Sequence, residues 1–314
     1  MAIKTSVTDT LLDEVACNNS ICAVIVTYFP DDELISLLAS VLPQVEALVV
    51  VDNSPENAQI QLQDLLSTTT NNIHLIKNDS NIGIAAAMNI GLETTIQLRC
   101  RWMLTLDQDT QCKSDMSDTL LHIHKTCNPT PSVVGSNYFD ARNERMEVNE
   151  SISTDWLERE TVITSGSLIE ASTAQQAGGF REEFFIDQVD HEFCLRMRAK
   201  GHVVVISRKS IMTHSVGMDG GPWLPVLGYL PNHSPLRKYY VSRNSIRLII
   251  EYFWKEPEWC LRRLTRLLLG LLLAATLEKN RLAKIHAFIN GFTDGIRSNM
   301  GPCRHDWIHK TEQN

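Results

Sequence analysis

The sequence lacks the features that mark secreted, zinc-binding and membrane-spanning proteins. Its 8 cysteines are scattered, and none forms a C-x-x-C pair or has the spacing of a zinc site. Residues 1–19 are polar and include Asp9, Asp13 and Glu14, so they do not resemble a secretory signal. The longest apolar run, residues 267–277, is well short of the roughly 20 residues that cross a bilayer. These absences predict a cytoplasmic protein whose cysteines are reduced and mostly buried.

A surplus of positive charge is also missing. The formal net charge is -8, from 29 Lys and Arg against 37 Asp and Glu. A protein that coats nucleic acid needs a basic surface to neutralise phosphates, so we expect no nucleic-acid partner. The apolar fraction of 43% and the charged fraction of 21% are ordinary for a folded protein, and 314 residues are enough to bury a full core.

The first half of the sequence contains an alternation of strand and helix patterns. Its strand segments are short apolar runs, which is typical of strands buried on both faces of a parallel sheet. The predicted strands are residues 21–27, 47–51, 73–77 and 102–106, and the predicted helices are residues 33–41 and 84–98. Such an alternation predicts an α/β fold with right-handed crossovers.

The second half of the sequence is mixed and then helical. Strands are predicted at residues 133–135, 161–169 and 202–206, and helices at residues 172–177 and 190–200. The C-terminal helices are predicted at residues 235–254, 259–278 and 281–297, with Pro257 as a break.

Polar residues follow three of the predicted parallel strands. Thr27, Asp52 and Asp107 fall at carboxyl ends, where ligands bind in open α/β sheets. Asp107 and Asp109 flank Gln108, and two carboxylates at the end of a buried strand are costly unless a cation compensates their charge. Mg²⁺ or Mn²⁺ takes such oxygens and then holds a diphosphate. An ordinary polar turn or helix cap is the alternative interpretation.

Two further positions at this edge have both a structural and a functional interpretation. Asp52 precedes Asn53 and Ser54 and is either a turn-forming residue or an acceptor for a nucleotide base or ribose. Asn81-Ile82-Gly83 at a helix start is either a cap or a set of exposed N–H groups that suit a nucleotide.

Three carboxylates lie close together in Asp187, Asp190 and Glu192. Asp190 falls in the first turn of a predicted helix, where the helix dipole stabilises a carboxylate. The residues are either the charged start of a surface helix or include a general base in a cleft. His214 follows the strand predicted at residues 202–206. A lone histidine is more often structural, although histidine is also a common metal ligand.

Together these motifs resemble the inverting family 2 glycosyltransferases of GT-A fold, over about residues 20–300. The shared order is Val24-Ile25-Val26-Thr27-Tyr28, Val51-Asp52-Asn53-Ser54, Asn81-Ile82-Gly83-Ile84-Ala85, Asp107-Gln108-Asp109 and Asp190-x-Glu192-x-x-Leu195-Arg196. Leu104 to Asp109, with Phe185-Ile186-Asp187 and Tyr239-Tyr240-x-x-Arg243-Asn244, is most similar to bacterial rhamnosyltransferases that build surface polysaccharides such as O-antigen.

The resemblance implies a fold, a domain organisation and a set of site residues. The fold is a Rossmann-like, mostly parallel sheet flanked by helices, with a helical C-terminal extension. A polar segment (1–19) would precede the nucleotide-sugar-binding and catalytic domain (20–230) and the helical region (231–314). The implied nucleotide and diphosphate contacts are Thr27, Tyr28, Asp52, Asn81, Gly83, Asp107 and Gln108, and the implied ligands of a divalent cation, Mg²⁺ or Mn²⁺, are Asp107, Asp109 and His214.

The resemblance also implies the reaction. Asp190 would be the base of a single displacement that moves L-rhamnose from dTDP-β-L-rhamnose to a hydroxyl of a lipid-linked glycan. Family members often have Glu-Asp here, whereas Val189 precedes Asp190, so Asp187 competes for the base role. Another donor sugar, or a non-catalytic nucleotide-sugar-binding scaffold protein, is the alternative. A nucleotidyltransferase would need a glycine-rich basic loop, which Tyr28-Phe29-Pro30-Asp31-Asp32 does not supply.

Basic residues flank the apolar run at residues 267–277. Arg262, Arg263 and Arg266 precede it, and Lys279, Arg281 and Lys284 follow it, as in helices that lie on anionic membranes. We therefore expect peripheral association with the inner face of the membrane. A core helix or a homo-oligomer contact is the alternative.

Overall fold

The structure is a computed structural model that describes residues 19–56, 72–140, 144–150, 153–214, 223–224, 228–229 and 232–312. The described strands are β1 (Ile21–Thr27), β2 (Ala47–Asp52), β3 (Ile73–Lys77), β4 (Trp102–Asp107), β5 (Gln111–Cys112), β6 (Val133–Asp140), β7 (Arg145–Met146), β8 (Trp156–Glu158), β9 (Ser167–Glu170), β10 (Val204–His214), β11 (Trp223–Leu224) and β12 (Gly228–Tyr229). The described helices are α1 (Glu33–Val41), α2 (Ile84–Gln97), α3 (Met116–Thr126), α4 (Ala171–Ala177), α5 (Val189–Ala199), α6 (Pro235–Tyr252), α7 (Pro257–Thr276), α8 (Arg281–Arg297) and α9 (Asp306–Glu312).

One sheet organises the α/β part of the chain, with the strand order β3-β2-β1-β4-β9-β6-β10-β5. The half that runs from β3 to β4 is parallel, as predicted. The other half is mixed, because β9 lies antiparallel between β4 and β6 while β10 runs parallel to β6. The register places Thr27 opposite Asp52 and Val26 opposite Asp107, so the polar ends of three strands meet at one edge.

Both faces of the sheet are covered, which explains the unbroken apolar runs of its central strands. Val49 and Val51 of β2 pack into the same cluster as residues of α2, α4 and α5. Leu48 and Val50 point to the opposite face and pack with residues of α1 and α3. Alternate residues of a strand point to opposite faces, so both sets must be apolar here.

The C-terminal helices pack on this layered core and on each other. Helix α6 lies against α8 along a close contact, since a Cβ at Gly291 would come within 2.2 Å of the Tyr239 carbonyl oxygen. The predicted helices at residues 235–254, 259–278 and 281–297 are confirmed to within a few residues, and Pro257 is the first residue of α7. Within the described part of the chain, no helix combines the length and apolar character needed to span a bilayer.

Three strand predictions in the mixed half are wrong in their bounds, and the first of them, residues 133–135, extends to Asp140. Residues 161–166 do not continue the strand that begins at Ser167, because Gly166 has a φ of +76° and the chain turns there. The strand predicted at residues 202–206 extends from Val204 to His214, with register shifts against β6. The predicted N-terminal segment, residues 1–19, lies outside the described residues except for Asn19. The predicted boundary between the catalytic domain and the helical region, at residues 230–231, also lies outside them.

Candidate active site

Asp52 is the buried centre of the polar edge. Its Oδ1 accepts hydrogen bonds from Thr27 Oγ1 at 2.8 Å, Ser54 Oγ at 2.7 Å and the Ser54 amide at 3.2 Å. Its Oδ2 is buried and has no hydrogen-bond partner. A buried carboxylate oxygen without a donor is costly, so this atom is a place where a donor from a ligand would be stabilised. Thr27 therefore acts on the site through Asp52, by orienting the carboxylate.

Gln108 and Tyr28 connect the ends of β4 and β1. The Tyr28 amide donates to Gln108 Oε1 at 2.9 Å, and Gln108 Nε2 donates to the Tyr28 carbonyl at 3.4 Å. The Tyr28 side chain is half exposed and contacts Phe29 edge to face, with ring centroids 4.7 Å apart. An exposed aromatic ring beside a buried carboxylate suits a flat ligand that carries a hydrogen-bond donor.

The amides at the start of α2 are bound within the protein. The Gly83 amide donates to Asn81 Oδ1 at 2.9 Å, and the Ile84 and Ala85 amides donate to the Phe185 carbonyl at 2.7 and 3.4 Å. The bond to the Gly83 amide favours the capping interpretation of Asn81-Ile82-Gly83. Gly83 has a φ of +87°, and a Cβ there would come within 2.7 Å of Phe185, so this glycine permits the close approach. Asn81 and Gly83 remain near the edge, since the Gly83 carbonyl accepts from Asn53 at 3.3 Å.

Asp107 and Asp109 lie on a turn that a distant serine holds. The Asp107 amide donates to Ser165 Oγ at 3.1 Å, and Ser165 Oγ also contacts Thr110 Oγ1 at 2.5 Å. Asp107 is half buried and Asp109 is exposed. The sequence did not indicate this role of Ser165; a serine next to a glycine inside a predicted strand was the only signal.

The residues at this turn fit a hard divalent cation. In the part of the chain that the structure describes, no three His, Cys, Asp or Glu side chains converge on one point. His214 ends β10, and its side chain lies outside the described residues. Two carboxylates are nevertheless the donor type that Mg²⁺ or Mn²⁺ takes alongside waters and substrate phosphates.

The loop before α5 is strained and is held from α6. Phe185, Asp187 and Gln188 have φ values of +63°, +62° and +64°. Asn244 Nδ2 lies 2.9 Å from the Phe184 carbonyl and 2.8 Å from the carbonyls of both Ile186 and Asp187. The buried guanidinium of Arg243 donates to the Glu183 and Phe184 carbonyls at 3.2 and 3.1 Å. These two residues therefore hold the loop in shape, a role that their quoted motif did not reveal.

Asp190 and Asp187 occupy different environments. Asp190 is half buried in the first turn of α5, and its Oδ1 accepts from the His191 amide at 2.7 Å. It lines a small cleft with Thr105 and Thr164, which are hydrogen-bonded to each other beside the end of β4. Asp187 Oδ1 accepts from Arg237 Nε at 3.2 Å, its Oδ2 is buried without a partner, and burial raises its pKa.

Glu192 belongs to a buried ion-pair network. It is 1% exposed and accepts from Arg196 Nε and Nη2 at 2.8 and 3.0 Å. Arg196 also donates to the carbonyls of Ala177 and Gly179, at 2.6 and 2.5 Å. The Asp190-x-Glu192-x-x-Leu195-Arg196 motif therefore joins one candidate catalytic carboxylate to a structural pair that anchors α5 to the end of α4.

Comparison with known protein families gives a match over part of the chain. Residues 22–171 match the model for "Glycosyl transferase family 2". Just under half of the chain therefore resembles a family 2 glycosyltransferase domain. The matched residues include the whole polar edge with Thr27, Asp52, Asp107 and Asp109, and end before Asp190.

The chain also has relatives in sequence and in fold. The chain is 28% identical to "dTDP-rhamnosyl transferase RfbF" of Shigella flexneri over 92% of this chain and 99% of that protein. TarS of S. aureus superimposes with a TM-score of 0.58 at 16% identity, over 92% of this chain and 50% of TarS. GalNAc-T7, solved with UDP, GalNAc and Mn²⁺, superimposes with a TM-score of 0.56 at 13% identity, over 88% of this chain and 56% of that one. At these identities the structures establish the fold, and the predicted GT-A architecture is confirmed.

Proposed function

We propose that the protein transfers L-rhamnose from dTDP-β-L-rhamnose to a hydroxyl group of a lipid-linked glycan during surface polysaccharide synthesis. The full-length similarity to a protein named as a dTDP-rhamnosyl transferase supports the donor. The observation that carries the proposal is the buried, unpartnered Oδ2 of Asp52 beside the acidic turn of Asp107 and Asp109. A nucleotide sugar has a base that can donate a hydrogen bond to this carboxylate and a diphosphate that can lie at the acidic turn.

The nucleotide would lie across the carboxyl ends of β1, β2 and β4. The imide N–H of thymine can donate a hydrogen bond to Asp52 Oδ2, and the base can stack on the half-exposed Tyr28 ring. Thr27 and Gln108 keep Asp52 and the Tyr28 backbone in place, while Asn81 and Gly83 border the same edge.

The diphosphate would lie at the Asp107–Asp109 turn. Asp107, Asp109 and, from the end of β10, His214 would hold a Mg²⁺ or Mn²⁺ ion, and the Mn²⁺ in the GalNAc-T7 structure supports this choice. When bound, the cation neutralises the negative charge that develops on the leaving diphosphate. Ser165 keeps the turn in position through the Asp107 amide.

Asp190 would accept the proton of the attacking acceptor hydroxyl. It is half buried in the first turn of α5, and its Oδ1 is oriented by the His191 amide. Asp187 is paired with Arg237 at 3.2 Å, so it supports the loop. Attack opposite to the leaving diphosphate inverts the configuration at the anomeric carbon.

A panel of nucleotide sugars, assayed with a glycan acceptor in Mn²⁺ and again in EDTA, tests the function. We expect turnover with dTDP-β-L-rhamnose only when the cation is present. Asp190→Asn should lower transfer by roughly 100-fold or more while donor binding survives, because general-base catalysis contributes that much. Asp118→Asn, an exposed aspartate on α3, is the control and should transfer normally.

Each other result has a defined meaning. Turnover with a different nucleotide sugar would reassign the donor. Binding of donors without turnover would favour a scaffold protein. Near-normal transfer by Asp190→Asn would remove Asp190 from the base role.

We also propose that the protein works at the inner face of the cytoplasmic membrane. Helix α7 exposes Leu261, Leu268 and Leu272 on one side, and α8 exposes Ile289, Phe292 and Ile296. The exposed cations Lys279 and Arg281 lie between these helices, where they suit anionic lipid headgroups. A lipid-linked acceptor would be reached from such a position.

A further inference from the structure

A basic cavity of about 550 Å³ adjoins the small cleft that Asp190 lines with Thr105 and Thr164, which we call the Asp190 cleft. It lies between the segment at residues 159–163 and the face of α7 that bears Trp259, Arg262, Arg263 and Arg266. These four positions follow the i, i+3, i+4, i+7 spacing that places side chains on one side of a helix. We call it the arginine cavity.

The arginine cavity and the Asp190 cleft share two walls. Val162 and Ile163 line both spaces, and His191 lines the cavity immediately after Asp190 in the chain. The donor edge, in contrast, is formed by β1, β2 and β4. A molecule that fills the arginine cavity would therefore approach Asp190 from a side that β1, β2 and β4 do not line.

The cavity has more positive than negative charge at its wall. Arg159 pairs with Glu147 at 3.6 Å, and Arg262 pairs with Glu160. Among the residues that the structure describes, Arg263 and Arg266 have no carboxylate at ion-pair distance, and the hydrogen bond of Arg263 goes from Nε to the neutral Ser245 hydroxyl at 2.8 Å. The cavity wall thus has two guanidinium groups whose positive charge is not balanced by an ion pair.

Arg263 is held where a cation is costly. Burial lowers its pKa to about 10, although Asp190 and Asp187 partly oppose this, so the group remains charged at neutral pH. A desolvated guanidinium without a bound anion is unfavourable, and the fork of N–H donors matches phosphate oxygens.

We propose that the arginine cavity binds a phosphate group of the acceptor, with Arg263 and Arg266 as its main ligands. This inference rests on the proposed transfer function, because it names the part of the acceptor that this wall recognises. The phosphate is either the diphosphate that joins a glycan to its lipid or a phosphodiester within the glycan. Its capture would place the adjoining sugar hydroxyl at Asp190.

The first test measures binding alone and does not depend on which sugar is transferred. Full-length protein in EDTA with saturating dTDP, which occupies the donor edge, is titrated with inorganic pyrophosphate by calorimetry. We expect saturable binding that weakens by roughly ten-fold or more in Arg266→Gln, since a hydrogen bond between charged groups contributes that much. Arg297→Gln, an exposed arginine at the end of α8, makes the same charge change and should bind as wild type. No pyrophosphate binding by wild type, or equal losses in both variants, overturns the proposal.

The second test compares acceptors that share one glycan. The three acceptors carry a lipid diphosphate, an internal phosphodiester or a neutral alkyl group. Arg266→Gln should raise KM by roughly ten-fold for whichever phosphorylated acceptor is native, with unchanged KM for the neutral acceptor and unchanged hydrolysis of the donor. If Arg263 and Arg266 only balance the charge of Asp187 and Asp190, the pH profile of kcat would shift equally for all three acceptors, and this would refute phosphate binding.

The two tests separate the two proposals. Failure of the proposed function removes turnover with dTDP-β-L-rhamnose but leaves the pyrophosphate titration interpretable. Failure of the phosphate proposal leaves turnover intact and removes the difference between acceptors.

Discussion

At the scale of single residues, the site depends on carboxylates that the fold buries unequally. Asp52 is 0% exposed and uses one oxygen for three internal hydrogen bonds, which leaves the other buried without a donor. Asp107 and Asp109 lie nearer the surface, on a turn. Aspartate side chains are thus a hydrogen-bond acceptor at the end of β2 and candidate cation ligands at the end of β4.

Asp52→Asn should weaken dTDP binding by roughly ten-fold or more. Because three donors surround Oδ1, the new amide nitrogen must take the place of Oδ2 and would face the N–H of the base. Calorimetry with dTDP measures the loss. Ser54→Ala, which removes one of the Oδ1 bonds but leaves Oδ2, is the control and should lose much less; similar losses in both variants would mean that Oδ2 does not contact the nucleotide.

Asp187 provides a pH-dependent prediction. Burial raises its folded-state pKa above the ordinary value of 3.8, so the folded protein holds this proton to a higher pH than the unfolded chain does. The carboxyl therefore destabilises the fold progressively as pH rises from 3.8 through the raised pKa. Asp187→Asn removes this effect and suits the left-handed backbone, which has a φ of +62°.

The measurement is the difference in unfolding free energy between Asp187→Asn and wild type as a function of pH. It should grow in favour of the variant as pH rises through that window and then level off. Transfer activity should persist in the variant. A flat difference would contradict the raised pKa, and lost transfer with intact folding would make Asp187 the base.

At the scale of elements, the decisive arrangement is a strained loop held by a helix. Left-handed conformations at non-glycine residues cost of order 1–3 kcal/mol each and persist only where the surroundings impose them. Here α6 imposes them, through Asn244 and Arg243, and the Phe185 carbonyl in turn caps α2. The loop thereby joins the nucleotide edge to the start of α5.

Asn244→Ala should destabilise the protein by about 2–3 kcal/mol, because buried carbonyls would lose their donor. The kcat should fall while the affinity for dTDP changes little, since the loop positions Asp190 and the nucleotide is bound elsewhere. Chemical denaturation and steady-state kinetics measure the two effects. Asn290→Ala on α8 is the matched control. Equal changes in kcat and dTDP affinity would indicate general structural damage instead of a positioning role.

At the scale of the whole molecule, the sheet separates two tasks. Its parallel half presents the nucleotide edge, and its mixed half borders the arginine cavity through Tyr138 of β6 and Ile206 of β10. Asp190 lies where the two halves meet. The helices α7 and α8 add an apolar surface outside both.

Membrane association gives a prediction at this scale. The full-length protein should float with vesicles that contain anionic lipids, and Leu268→Ser combined with Leu272→Ser should reduce flotation by roughly ten-fold, because these exposed side chains would bury apolar area in the lipid. Ile35→Ser, an exposed apolar residue on α1, is the control. If the double variant floats as wild type does, the surface is not a membrane contact. Lipid-free dimers that the double variant loses would identify a homo-oligomer interface.

Much of the fold was predictable because its cause is local. Strands such as Ile21–Thr27 are buried on both faces and so appear as apolar runs, and the helix at Ile84–Gln97 follows a glycine at its N-terminus. The wrong strand at residues 161–166 shows the limit. Those residues are apolar and β-branched enough for a strand, but Ser165 and Gly166 turn the chain to hold Asp107, which is distant in sequence.

The sequence by itself determined the strands β1 to β4 with the helices α1 and α2, the three long C-terminal helices, the polar residues at the strand ends and the resemblance to family 2 glycosyltransferases. Only the tertiary structure decided which oxygen of Asp52 is without a donor, that Asp187 pairs with Arg237, and that Arg263 and Arg266 face a cavity beside the candidate base. The physical reason is that burial and hydrogen bonding between distant segments are properties of packing, and packing is not contained in any short motif.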